Sequence, residues 1–202
     1  MAWADLTELE NEHVLLRPVR EQDRAALHAI AMDPQIWRYF IMRIESAADF
    51  NAFFDLGLAD QAAGRRVVYC ITDKLSGRAA GSMSFCSMSE PDARLEIGWS
   101  WLGRDFQGKG INRWAKFLML AHAFECMGAE RVEFKTDQLN VQARHGLCNI
   151  GAREEGTLRS FNPMPDGRRR DAVYYSVLRP EWPYVREQLL TREKVAPAEA
   201  GA

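Results

Sequence analysis

Between Trp101 and Arg113 the chain passes from an apolar strand through a glycine-bearing turn into an amphipathic helix, and no other stretch constrains its fold so tightly. The residues are Trp-Leu-Gly-Arg-Asp-Phe-Gln107-Gly-Lys-Gly-Ile-Asn-Arg113. Such a junction directs several backbone N–H groups and the positive end of a helix dipole at one spot, which suits a phosphate. Gly108 and Gly110 carry no Cβ, so a ligand can approach the main chain closely there. Lys109 and Arg113, with Arg104 upstream, add positive charge. The segment predicts an anion site, and function turns on which molecule carries the anion.

With 202 residues the chain can bury a core without crosslinks. One domain over residues 1–195 is expected, with 196–202 as a frayed tail. A net charge of −2 disfavours a dedicated nucleic-acid binder, which carries a broad basic surface. No apolar run approaches the ~18 residues of a membrane span. The first residues lack the charged-then-apolar layout of a secretory signal, so a cytoplasmic location is expected. Cys70, Cys86, Cys126 and Cys148 form no C-x-x-C pair, and the histidines form no H-E-x-x-H motif. Buried reduced thiols and no metal are expected.

Period-two patterning predicts seven strands, at 13–17, 67–72, 79–87, 95–102, 131–136, 152–161 and 171–178. In the fourth, Leu95, Ile97, Trp99 and Trp101 share one face and Glu96, Gly98 and Ser100 the other. Helical spacing covers 21–32, 46–62 with Ser46 as cap, 111–127, 140–150 and 180–192. Trp114, Phe117, Leu118, Ala121 and Phe124 form a core-facing stripe on the third. The order β-α-α-β-β-β-α-β-α-β-β-α reads as an α+β, mixed α/β, sheet with helices packed on it.

Five blocks in this order, beyond the glycine turn alone, resemble the GNAT superfamily of acyl-CoA N-acyltransferases, and within it the ribosomal-protein N-terminal acetyltransferase-like branch. They are Leu15-Leu-Arg-Pro18, Glu96-Ile-Gly-Trp-Ser-Trp-Leu102, Val132-Glu-Phe-Lys-Thr-Asp137, Asn140-x-x-Ala143 and Gly151-Ala-Arg-Glu-Glu-Gly156. Gln107-Gly-Lys-Gly110-Ile-Asn112 is similar to the superfamily's Q/R-x-x-G-x-G/A motif, with Asn112 in place of the last small residue. The resemblance implies one splayed, mostly antiparallel central sheet of about seven strands. Acetyl-CoA would lie between the fourth and fifth strands as co-substrate. Its pyrophosphate would rest on Gln107, Gly108, Lys109, Gly110, Ile111, Asn112 and Arg113. Its pantetheine arm would pair with the backbone of Trp99, Ser100, Trp101 and Leu102, like an added strand. Asn140 and Arg144 are implied as further cofactor contacts. The partner is an amine acceptor, a protein N-terminus or a small amino compound, and the oligomeric state is open between monomer and homodimer. Two positions depart from the family pattern: the tyrosine that serves many members as acid is Leu147, and a serine of this branch is Ala143. The acid is left unassigned.

Acyl transfer needs a neutral amine, a polarised carbonyl and a leaving thiolate. At pH 7 roughly one α-amino group in seven is neutral, against about one lysine in several thousand. Backbone N–H groups of a bulged strand can polarise the carbonyl without a special side chain. Glu96 is the first candidate for base and Asp137 the second, although a solvated strand carboxylate and a helix cap explain them too. Cys148 is a third proton carrier, against burial. Trp37, Tyr39 and Phe40 either shape the acceptor pocket or fill the core. Arg168, Arg169 and Arg170 either attract an acidic acceptor or form a solvated charge run. Two other functions fit parts of the pattern. A non-catalytic acyl-CoA-binding or regulatory module would keep the cleft and lose the acid. A P-loop nucleotide binder lacks its G-K-[ST].

Overall fold

The computed structural model describes residues 3–191. Its strands are β1 (Leu9–Glu10), β2 (Val14–Pro18), β3 (Val67–Asp73), β4 (Arg78–Ser89), β5 (Arg94–Leu102), β6 (Arg131–Asp137), β7 (Arg153–Pro163) and β8 (Arg169–Leu178). They form one sheet in the order β1-β2-β3-β4-β5-β6-β8-β7. Seven are the strands that alternation predicts. The eighth, β1, only pairs Leu9 with Leu16 and Glu10 with Leu15, too short for a period to register. All neighbours run antiparallel except β5 and β6. The expected tail at 196–202 lies outside the described residues.

The helices are α1 (Arg24–Ala31), α2 (Pro34–Trp37), α3 (Ala47–Ala62), α4 (Ile111–Ala121), α5 (Val141–Asn149) and α6 (Trp182–Thr191). Two of the starts show a clear local cause. Asp33 accepts the Gln35 N–H at 2.9 Å, and Pro34 presets φ for the first turn of α2. Ser46 Oγ accepts the Asp49 N–H at 3.2 Å to open α3, while Asp49 Oδ2 accepts the Glu45 N–H at 3.1 Å. The helix expected to run to 127 is α-helical to Ala121 and loosens into a π-helical turn over His122–Cys126.

Two apolar clusters sandwich the sheet. On one face Phe85, Leu95, Ile97 and Phe134 pack under α4 residues such as Trp114, Ala115 and Met119. On the other, Val68, Cys70 and Trp101 meet Leu27, Trp37, Phe50 and Phe54 of the first three helices. This arrangement corrects the expected alternation of β5. Leu95 and Ile97 face α4, but Trp101 lies on the opposite side, and Trp99 stacks toward Phe53 of α3 with ring centroids 6.1 Å apart. The cause is a β-bulge. Ser84 pairs with Gly98 and Ser82 with Trp101, so β5 spends one more residue than β4 over the same span. Trp99 takes a φ of 53° there, and the extra residue reverses which face follows. Glu96, opposite Leu95 and Ile97 as expected, therefore shares its face with Trp101.

The thiols also divide. Cys70 and Cys86 are buried, and burial pushes each up to about 12. Cys126 and Cys148 are exposed, against expectation. On α5 the buried position is Leu147, which turns the adjacent Cys148 outward.

Candidate active site

β5 and β6 pair only from Arg94–Arg131 to Glu96–Glu133. Beyond Glu133, β6 stays with β8 as far as Asp137–Ala172, while β5 stays with β4. The bulge at Trp99 bends β5 at the point where the two strands part, and a wedge opens with the unpaired edge of β5 on one wall. The resulting cleft encloses about 1550 Å³. Gly98 to Leu102, Gly108, Gly110 and Asn112 line one side, and Lys135, Thr136, Asn140 and Leu147 the other.

At the mouth of the wedge the glycine turn forms an open main-chain cradle. Gly108 and Gly110 have φ of 75° and 80°, where side chains are strained. Nothing crowds them: a Cβ on Gly108 would meet no atom within 4 Å, and one on Gly110 only Trp114 Cδ1 at 3.9 Å. Gly110 caps α4 without any side chain bonding its first N–H groups, which leaves them for a ligand in the cleft. Gln107 Nε2 donates to the Leu102 carbonyl at 3.1 Å and ties the turn to the end of β5. Arg113 lines the cleft, its guanidinium 4.6 Å from the Trp114 ring centre. Lys109 is exposed, and Ile111 is buried in the core, anchoring the helix start. These two can serve the cradle through main-chain N–H groups.

Lys116 has no signal in the sequence beyond its place among core residues of α4. It sits on the buried face of α4, lines the cleft, and donates from Nζ to Asn112 Oδ1 at 2.6 Å. Burial pushes its ammonium down to about 8.

The far wall begins with α5. Asn140 lines the cleft and caps the helix, its Oδ1 accepting the Ala143 N–H at 3.0 Å. Arg144 corrects an expectation, since its guanidinium turns away from the cleft. It donates to Tyr175 Oη at 3.1 Å, to Glu154 Oε2 at 3.2 Å and to the Gln138 carbonyl at 3.4 Å, which pins α5 to the sheet. Ala143 and Leu147, the two positions that depart from the family pattern, both face the cleft. At these two positions the wall is apolar, where the family pattern carries a tyrosine and a serine.

Glu96 stands where the strands part and is 8% exposed. Its Oε2 accepts Lys135 Nζ at 3.3 Å and Ser87 Oγ at 3.3 Å. A Cβ on Gly98 would lie 2.9 Å from Glu96 Oε1, so only glycine leaves that oxygen its room. Asp137 is differently placed. It is 1% exposed and outside the cleft lining, accepts the Leu139 N–H at 2.9 Å, and is ion-paired with Arg168. Oδ1 holds the turn before α5, and Oδ2 holds the Arg168 guanidinium. Trp37 is core, donating from Nε1 to the Ala31 carbonyl at 2.6 Å, whereas Tyr39 and Phe40 line the cleft. Of the three consecutive arginines only Arg170 faces the cleft. Among the described residues no group of three or more His, Cys, Asp or Glu side chains is placed to hold a metal.

Known proteins share this architecture. Residues 13–153 match the family model described as the acetyltransferase (GNAT) domain. A Thermus thermophilus protein whose solved structure is named as an acetyltransferase superposes with a TM-score of 0.85 at 34% identity, covering 94% of this chain and 98% of its own. A Bacillus subtilis protein named as a ribosomal N-acetyltransferase, YdaF, is 27% identical over 85% of this chain and 94% of its own length. The spermidine N(1)-acetyltransferase of Escherichia coli K12 is 25% identical over 79% of this chain and 83% of its own. With the wedge, the bulged strand and the glycine cradle in place, the chain belongs to the GNAT family of acetyltransferases.

Proposed function

We propose that the enzyme holds acetyl-CoA in the wedge between β5 and β6 and acetylates an amine presented from the α1–α3 side, with Glu96 as the base. The observation that carries this reading is the alignment of three features along one wall: Glu96, the Trp99 bulge and the positive-φ glycines 108 and 110. Bound there, acetyl-CoA supplies an activated acetyl group. The glycine turn and the start of α4 meet the diphosphate with main-chain N–H groups and the dipole. The unpaired edge of β5 offers the pantetheine arm a strand to pair with. The bulge takes Trp99 and Ser100 out of the β4 register, and their main-chain N–H groups would polarise the acetyl carbonyl as donors that need no reorganisation as charge develops.

Glu96 has the geometry of a base because Lys135 and Ser87 hold Oε2 and leave Oε1 toward Gly98 and the cleft. It takes the proton of the attacking amine directly or through one water. Asp137 positions Arg168 and the α5 turn. The tyrosine's position is held by Leu147, so coenzyme A departs with its proton drawn from solvent. The carboxylate beside the bulge favours this reading over a binding module. Four free cysteines, two of them exposed, suit a reducing compartment, and we place the enzyme in the cytoplasm.

The test is release of coenzyme A thiol across a panel of amines, comparing the wild type with Glu96→Gln. Turnover that is amine-dependent and falls in the variant supports the reading. Equal rates and equal pH profiles in the two proteins would remove Glu96 from the base role.

A further inference from the structure

Arg170 differs from the cations around it because, among the described residues, no carboxylate is bonded to it. The residue is 7% exposed and lines the cleft. Its Nε is buried without a hydrogen-bond partner, and among the described residues its guanidinium forms no ion pair. Its neighbours are matched. Lys135 holds Glu96 at 3.3 Å, and Arg168 holds Asp137 and Asp166. Glu96 and Asp137 act on Arg170 only through space, since each is already held by another cation, Lys135 or Arg168. A buried charge without a partner is costly, and a ligand carboxylate would relieve that cost with paired hydrogen bonds.

The strand register places Arg170 close to the reaction. Glu96, Glu133 and Ser176 stand at one level of β5, β6 and β8. Three residues further along β5 is the Trp99 bulge, and three along β6 is Thr136, which pairs with Val173. Arg170 lies another three residues out on β8, about 10 Å along the strand. By the same alternation it shares a sheet face with Tyr174, Lys135 and Glu96. A small molecule whose amine meets the bulge can therefore reach the guanidinium with its other end.

Building on the acetyl-transfer reading above, we propose that Arg170 anchors a carboxylate of the acceptor, so that the substrate is a small primary amine of the amino-acid type. Polyamines do not fit the same feature, since a second ammonium would face the buried Arg170 guanidinium where a carboxylate is wanted.

The test offers the enzyme a series of amino acids from glycine to the longer ω-amino acids, each beside its own primary amide. At the preferred spacing the acid exceeds its amide in kcat/KM by at least about tenfold, expressed mainly in KM. In Arg170→Gln that advantage disappears, and in Arg170→Lys part of it returns. Binding is read separately by tryptophan fluorescence of the coenzyme A complex, titrated with each acid and each amide. Saturable binding of acids that is lost in Arg170→Gln supports the anchor even if no amine turns over, a result that would overturn the acetyl-transfer reading alone. Equal use of acids and amides by the wild type, or an acid preference that survives in Arg170→Gln, overturns the anchor and leaves acetyl transfer standing.

Discussion

Lys116, one helical turn beyond Asn112 on α4, donates from Nζ to the Asn112 Oδ1 at 2.6 Å. Asn112 occupies the position where the superfamily motif carries glycine or alanine, and this bond draws its side chain along the helix toward Lys116. Lys116 contributes to stability with a definite sign. Burial lowers its folded value from 10.5 to about 8, so between those pH values the unfolded chain binds more protons than the folded one. Below about 8 both states are protonated and the full penalty applies. Stability should rise as pH increases through that window, by about 3 kcal/mol. The thiols of Cys70 and Cys86, raised from 9.0 to about 12, act oppositely at the alkaline end. The comparison is therefore between wild type and Lys116→Met in urea unfolding at pH 7.5 to 10.5, and the variant should lack the wild type's relative gain. Parallel stability curves would show that Lys116 is solvated.

Glu96→Gln removes the proposed base while keeping the shape of the side chain. The expected loss in kcat/KM is about 10²- to 10⁴-fold, the usual contribution of general base catalysis. Affinity for coenzyme A, measured by calorimetry, should not change, because Glu96 lies on the acceptor face of β5. Asp137→Asn should instead lower the melting temperature, since it breaks the buried pair with Arg168. A variant at Asp137 that is fully stable and catalytically dead would reverse the two roles.

Substituting valine for Gly110 tests the cradle. A β-branched residue at a φ of 80° is strained by roughly 1–2 kcal/mol, and its methyl groups would enter the proposed diphosphate site. Coenzyme A affinity should fall by at least about tenfold, corresponding to about 1.4 kcal/mol. Gly77, also at positive φ in a turn with nothing within 4 Å, serves as a control. Valine there should cost stability alone. Equal coenzyme A affinity in both variants would move the diphosphate elsewhere.

Much of this was legible in the chain because the signals are local. Seven strands follow from alternation, the cradle from two glycines before an amphipathic helix, and the Ser46 cap from its own side chain. What escaped depends on contacts distant in sequence. The face reversal in β5 exists only against β4, where Ser82 and Ser84 set the register that strands Trp99. Arg144 was expected to reach the cofactor, but its partners Tyr175 and Glu154 come from two other strands. Lys116 and Arg170 look like ordinary surface cations until the fold buries them. Helical and strand periodicity say which side a residue takes, not whether water reaches it.

Trp37 and Tyr39 were indistinguishable in the sequence, and the structure separates them. Trp37 is 2% exposed, packs against Phe40, Phe53 and Trp101, and satisfies its indole N–H on Ala31. Tyr39 lines the cleft, with the Arg38 guanidinium 5.3 Å from its ring centre. Trp37→Ala should therefore lower unfolding free energy by about 3–5 kcal/mol, the range for deleting a buried large aromatic. Tyr39→Ala should leave the melting temperature within a degree or two, since surface changes cost about 0.5 kcal/mol or less. It should instead raise KM for the acceptor several-fold and leave coenzyme A affinity alone. Thermal unfolding and steady-state kinetics on the two variants decide the matter. A stable Trp37→Ala protein with impaired acceptor binding would return the tryptophan to the pocket and put the α2 turn closer to the substrate than its packing indicates.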